Sequence, residues 1–135
     1  MSPAVKAWVT RHASAEDAYR ARVLRSMRTS INDAARRQAK KAKNKARVTV
    51  TIDDIKRKLE CTGWRCAVTG LAFWSCRTKF GPTMPSLDRI KPDGDYSARN
   101  VRVVLYGVNG LRGRANDAIM RRIATAIVTA KERKR

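Results

Sequence analysis

Between positions 85 and 112 the chain spaces Asp88, Arg89, Asn100, Asn109 and Arg112 in a way that suits phosphodiester chemistry. The stretch reads Pro85-Ser86-Leu87-Asp88-Arg89-Ile90, then Asn100-Val101, then Asn109, Gly110, Leu111 and Arg112. Hydrolysis of a phosphodiester needs three things. A metal must neutralise the non-bridging and leaving oxygens, a water must be activated in line, and a cation must hold the phosphate. Hard divalent ions take oxygen ligands, so the Asp88 carboxylate and the Asn109 amide oxygen are the metal-ligand candidates. Mg²⁺ is the expected ion, with Mn²⁺ the alternative. Arg112 follows Asn109 by about one turn and shares its face if the stretch is helical. Taken alone, Asp88-Arg89 reads better as an ion pair at a strand end; the whole spaced set points to a site.

These residues need elements to position them. Residues 86–90 read as a short strand, 92–95 as a turn, 100–106 as the start of a second strand, and about 103–112 as a helix. Upstream, residues 48–51 read as extended. Thr51 or Asp53 caps a helix over about 54–61 with Ile55 and Leu59 inward, and Gly63 ends it. The apolar run 64–74 reads as a core-forming strand or hairpin with a turn at Thr69-Gly70, and 75–85 as a loop. A last helix spans 117–134 with Ile119, Ile123, Ala126 and Ile127 on one face. Residues 1–13 read as a frayed terminus. Ser14 starts a long helix from Ala15 to about Ala46, carrying the stripe Leu24, Met27, Ile31 and Ala34. That stripe can pair with its own copy in a homodimer or pack on the rest of the chain. The fold class expected is α+β and mostly helical. A basic helical arm over residues 1–47 precedes a domain over 48–135.

Charge names the partner class. The chain has 135 residues, and its 31 Lys and Arg against 11 Asp and Glu give a formal net charge of +20. Such a surplus favours a polyanion, and nucleic acid above all. Residues 36–47 carry seven bases and no acid: Arg36, Arg37, Lys40, Lys41, Lys43, Lys45 and Arg47. They read as an arm that tracks phosphates, supplying affinity and salt dependence rather than sequence choice. Arg112 and Arg114 add to this surface. No apolar run approaches the ~20 residues of a membrane span, and no secretion signal is visible. The expectation is therefore a cytoplasmic protein, bacterial or in a phage-infected host, with no membrane partner. The cysteines Cys61, Cys66 and Cys76 are odd in number and lack paired knuckles, so reduced thiols are expected and structural zinc is not.

The pattern Cys66-Ala-Val-Thr-Gly70, Pro85-Ser-Leu-Asp-Arg-Ile90, Gly94, Tyr96, Asn100-Val101 and Asn109 resembles the HNH, or His-Me finger, endonucleases. It is most similar to small phage and prophage members, including the endonuclease VII-like group. The resemblance covers about residues 50–130. It implies a ββα-metal finger with flanking helices: two antiparallel strands, then a helix, with the metal between them. It also implies that Asp88 and Asn109 are ligands, that Asn100 braces the loop, and that Arg112 is a basic position after the last motif residue. The chain departs from the family at Arg89, which stands where the catalytic histidine would be. A guanidinium stays protonated, so Arg89 suits a phosphate clamp rather than a general base. The base is left to Tyr96, Asp93, Asp95 or a metal-bound water, or to His12 if the N-terminal segment folds over the site. The two cysteine pairs of the endonuclease VII-like group are missing too, and packing by Trp64, Leu71, Phe73 and Trp74 is expected in their place.

The function expected is a metal-dependent DNA endonuclease acting on duplex or branched DNA, with Asp88, Arg89, Asn100 and Asn109 as its catalytic set. The alternative is a catalytically inactive nucleic-acid-binding protein on the same scaffold.

Overall fold

A computed structural model describes residues 2–74 and 81–130, the His12 side chain excepted. The fold is α+β. Among the described residues, four helices accompany one two-stranded antiparallel sheet, with α1, α2 and α3 packed on its strands and α4 on α3.

Helix α1 spans Pro3–Ala39. It starts well before Ser14, because Ser2 caps it: the Ser2 Oγ accepts from the Val5 N–H at 3.3 Å. Proline in the first turn has no N–H to leave unpaired. The expected frayed terminus is thus helix. The helix also ends early, at Ala39 rather than near Ala46. Residues 41–47 fold back as a loop, with Asn44 in the left-handed region at φ 57°. The buried Gln38 side chain closes this loop by accepting from the Ala46 N–H at 2.8 Å. Crowded bases without acids resist continuing the helix, because like charges one turn apart repel.

The apolar stripe of α1 packs within the chain. Val23, Met27 and Ala34 are fully buried, and Leu24 and Ile31 pack against the same core. That core also holds Ile55 and Leu59 from α2 (Ile52–Cys61), and Leu87, Val101, Val103 and Val104 from the sheet. Residues on either side of position 47 therefore share one core. Helix α2 begins with a capping box in which Thr51 and Asp54 satisfy each other's N–H groups.

No strand forms among residues 64–74, contrary to expectation. Gly63 and Trp64 both have positive φ, 66° and 61°, and Gly70 has φ 73°. Those turns break any ladder, and the segment's donors go elsewhere. The Ala67 N–H reaches the Val103 carbonyl at 3.0 Å, and the Cys66 N–H reaches the Leu71 carbonyl at 2.8 Å. Trp64, Cys66 and Phe73 are buried, whereas Leu71 and Trp74 are exposed, so only half of the expected apolar set packs. The Tyr19 hydroxyl secures this loop, donating to the Trp64 carbonyl at 2.6 Å and accepting from the Phe73 N–H at 3.1 Å. Cys61 and Cys66 are free thiols, and Cys76 lies outside the described residues.

Strand β1 (Pro85–Arg89) pairs with β2 (Val101–Leu105), setting Asp88 opposite Arg102 and Ser86 opposite Val104. Helix α3 (Tyr106–Arg112) follows β2 without a linker and packs on both strands. Helix α4 (Asp117–Thr129) starts at the Asn116 cap. Its isoleucine face is turned outward: Ile119, Ile123 and Ile127 are exposed, and Met120 alone in this helix is buried. Residues 131–134 of the expected helix lie outside the described residues. Among the described residues, no helix is long and apolar enough to cross a membrane.

Candidate nucleic-acid interface

A cleft of about 960 Å³ separates one face of α1 from the end of β1 and from α3. Its α1 wall carries Arg22, Arg25, Ser26, Thr29, Ser30, Asp33 and Arg37, continued by Lys41. The other wall carries Ser86, Asp88, Arg89, Tyr96, Asn109 and Arg114. Successive side chains along a strand point to opposite faces, so Ser86 and Asp88 share the face that α3 covers. Asn109 on α3 donates from Nδ2 to Ser86 Oγ at 2.9 Å. Its Oδ1 accepts no hydrogen bond from the described residues.

Asp88 is 3% exposed, and each of its oxygens is already taken. Oδ1 accepts from Arg112 Nη1 at 2.8 Å, and Oδ2 from Arg102 Nε at 2.8 Å. Arg102 extends the chain of charges by forking onto both oxygens of Asp117, at 2.9 and 2.7 Å. The Asp117 hydrogen bonds, with help from Asp88, hold the Arg102 guanidinium well above its ordinary pKa despite its partial burial. Reciprocally, the hydrogen bond from Arg102 holds the Asp117 carboxyl below the usual carboxylate range. Arg112 is buried as well. It donates to the carbonyls of Arg89, at 2.6 Å, and of Ile90. Its Nε lies 3.0 Å from Asp117 Oδ1 as an ion pair, without hydrogen-bond alignment.

Arg89 leaves β1 on the opposite side. Its guanidinium sits 4.6 Å from the centre of the Tyr96 ring and donates to the Gly94 carbonyl at 3.0 Å. Stacking on an aromatic face and one fixed hydrogen bond leave the remaining donors for a ligand in the cleft. Asn100 holds the loop between the strands. Its Nδ2 donates to the Lys91 and Asp95 carbonyls at 3.1 and 2.8 Å, and its Oδ1 accepts from the Lys91 N–H at 2.8 Å. Gly94 is needed there, because a Cβ would sit 2.6 Å from Asn100 Nδ2.

Of the site residues expected from sequence, Asp88, Arg89, Asn109, Arg37, Lys41 and Arg114 line one cleft. Asn100 acts behind it, within the loop. Arg36, Lys40, Lys43, Lys45 and Arg47 are not in its lining, and Arg112 is a buried structural cation rather than a surface one. Among the bases considered, Tyr96 is buried beneath Arg89, and Asp95 accepts from the Arg47 N–H at 2.8 Å. Asp93 is exposed outside the cleft lining, and the His12 side chain lies outside the described residues. Arg22, Arg25, Ser26, Thr29 and Ser30 line the cleft as well and are not singled out by any motif. Their signal was a polar stripe at helical spacing, continued by Asp33, Arg37 and Lys41, beside the apolar one.

The donor set is poorly suited to a divalent ion as it stands. Asn109 Oδ1 is an open hard donor, but the carboxylate that would carry the charge is wrapped by two guanidiniums. What the cleft presents in abundance is cationic donors for phosphate oxygens. Set against known proteins, the chain matches no family model, no curated protein and no solved structure.

Proposed function

We propose that the protein binds nucleic acid, DNA in the first instance, by gripping the phosphodiester backbone between α1 and the β1–β2–α3 unit. One observation carries this reading. Six bases line the cleft, namely Arg22, Arg25, Arg37, Lys41, Arg89 and Arg114, against two acids, Asp33 and Asp88. Asp88 is already neutralised by its arginine partners. Contacts of this kind position a backbone and depend on salt through counterion release. Fluorescence anisotropy with labelled duplex DNA tests it. Affinity should fall steeply with salt, and the combined Arg22→Ala, Arg25→Ala, Arg89→Ala variant should flatten the salt slope by about three. Wild-type affinity in that variant would remove the cleft as the binding site.

A second reading, a His-Me-finger-like endonuclease, is favoured by the succession β1, β2, α3 with Asp88, Arg89 and Asn109 on one cleft wall. Incubation with supercoiled plasmid and Mg²⁺ or Mn²⁺ decides it. Nicking that is absent, or that survives in both Asp88→Ala and Asn109→Ala, rules this assignment out.

A further inference from the structure

We infer that the resident cation at the end of β1 is the Arg112 guanidinium, and that Asp88 ties the β1–β2 hairpin to α3 instead of holding a metal ion. Three oxygens at the end of β1 converge on that one group: Asp88 Oδ1 and the carbonyls of Arg89 and Ile90. Converging hard oxygens are what a bound cation requires, and here a planar, permanently charged group fills the cage. The Asp117 carboxylate closes it from α4, with Oδ1 3.0 Å from Arg112 Nε. The Arg112 and Asp88 side chains are 2% and 4% exposed, so the pair is sealed from solvent. A divalent ion reaching Asp88 would lie against both Arg112 and Arg102, and like charges at such range repel strongly.

The arrangement also orients the cleft. Arg112 fixes the carbonyls of Arg89 and Ile90, and so fixes the strand end from which the Arg89 side chain reaches Tyr96. Arg112 is thus a positioning residue for Arg89. The inference stands apart from nucleic-acid binding and holds whether or not DNA is the ligand.

Two measurements on the full chain test it. In the wild-type protein, Mn²⁺ should cause no selective paramagnetic broadening of amide signals from residues 86–90 and 106–112. Selective broadening there that disappears in Asp88→Asn would overturn the inference. In Arg112→Gly, millimolar guanidinium chloride should raise Tm by about 5 °C over the same concentration of potassium chloride. A folded Arg112→Gly that gains nothing from guanidinium, or that gains from Mg²⁺ instead, would also overturn it. If Arg112→Gly does not fold, Arg112→Lys takes its place: one ammonium cannot span the three oxygens, so Tm should fall. Wild-type Tm in Arg112→Lys would count against the cage, and the Mn²⁺ measurement decides in either case.

Discussion

At the scale of single residues, Asp88 and Arg89 are neighbours with opposite surroundings. Asp88 points into the protein, where two guanidiniums meet its carboxylate. Removing the acid leaves Arg112 buried with much of its charge uncompensated, the costly way to break a buried pair. Asp88→Asn should therefore lower stability by about 3 kcal/mol in urea denaturation. Arg89 points toward the cleft and rests on Tyr96, which reaches it with a ring face rather than a charge. Arg89→Ala should lower the free energy of unfolding in urea by only about 1 kcal/mol and weaken DNA binding. Asp33 is the acid on the α1 wall of the cleft, and its ion pair with Arg36 is loose at 3.4 Å. Asp33→Asn should tighten DNA binding at low salt, because a carboxylate facing phosphates repels them. Unchanged affinity would mean that the backbone does not pass that wall.

At the scale of elements, the least anchored helix is α4. Met120 is its buried residue, and Asp117 ties its first turn to Arg102 and Arg112. An isolated helix of this length is marginal in water, so α4 depends on those anchors. The folded-state pKa of Asp117 is lowered, mainly by the Arg102 hydrogen bond. Its contribution is thus fully present above the unfolded carboxylate value of about 4 and is lost as pH falls through the lower folded value. The effect is modest, because the Asp117 side chain is 37% exposed and screened by solvent. Hydrogen exchange should show α4 amides losing protection below about pH 4 before those of α2. The same loss of α4 protection in Asp117→Asn as in the wild-type protein would show that Asp117 does not anchor α4. The loop between β1 and β2 is set by Asn100 and by the room that Gly94 leaves for it. Gly94→Ala should cost about 1–3 kcal/mol, since the added methyl must push Asn100 aside.

At the scale of the whole molecule, α1 is both core and cleft wall. Its apolar stripe closes the core from one side while its polar stripe faces the β1 end across the cleft. Met27→Ala should cost about 2–5 kcal/mol and shift a single cooperative urea transition for the entire chain. A separate early transition for α1 would mean that it is held independently of the rest. The stripe once available for a homodimer is occupied within the chain, so sedimentation equilibrium of the wild-type protein should give no dimer through that face.

Much of this molecule could be read from local chemistry. A cap at Thr51 or Asp53, the helix facing Ile55 and Leu59 inward, both strands and the turn into α3 follow from propensity and period, which are properties of neighbouring residues. Asp88, Arg89 and Asn109, picked out by their spacing, do line one cleft, and the surplus of bases supports only the proposal of a polyanionic partner. Three outcomes depended on residues far apart in the chain. The run 64–74 is apolar enough for a strand, but its donors meet Val103 and its carbonyl at Trp64 meets Tyr19, so it packs as a loop. The isoleucines of α4 have the period of a buried face, yet α4 meets the fold through Asp117 and Met120 and leaves that face in water. Asp88 has the type and position of a metal ligand, and only folding brings Arg102 across the sheet and Arg112 over it. Sequence fixes which groups are present and how they recur along an element. Which groups meet is decided by packing between elements, because a carboxylate acts as a ligand, a base or a hinge pin according to the charges brought against it.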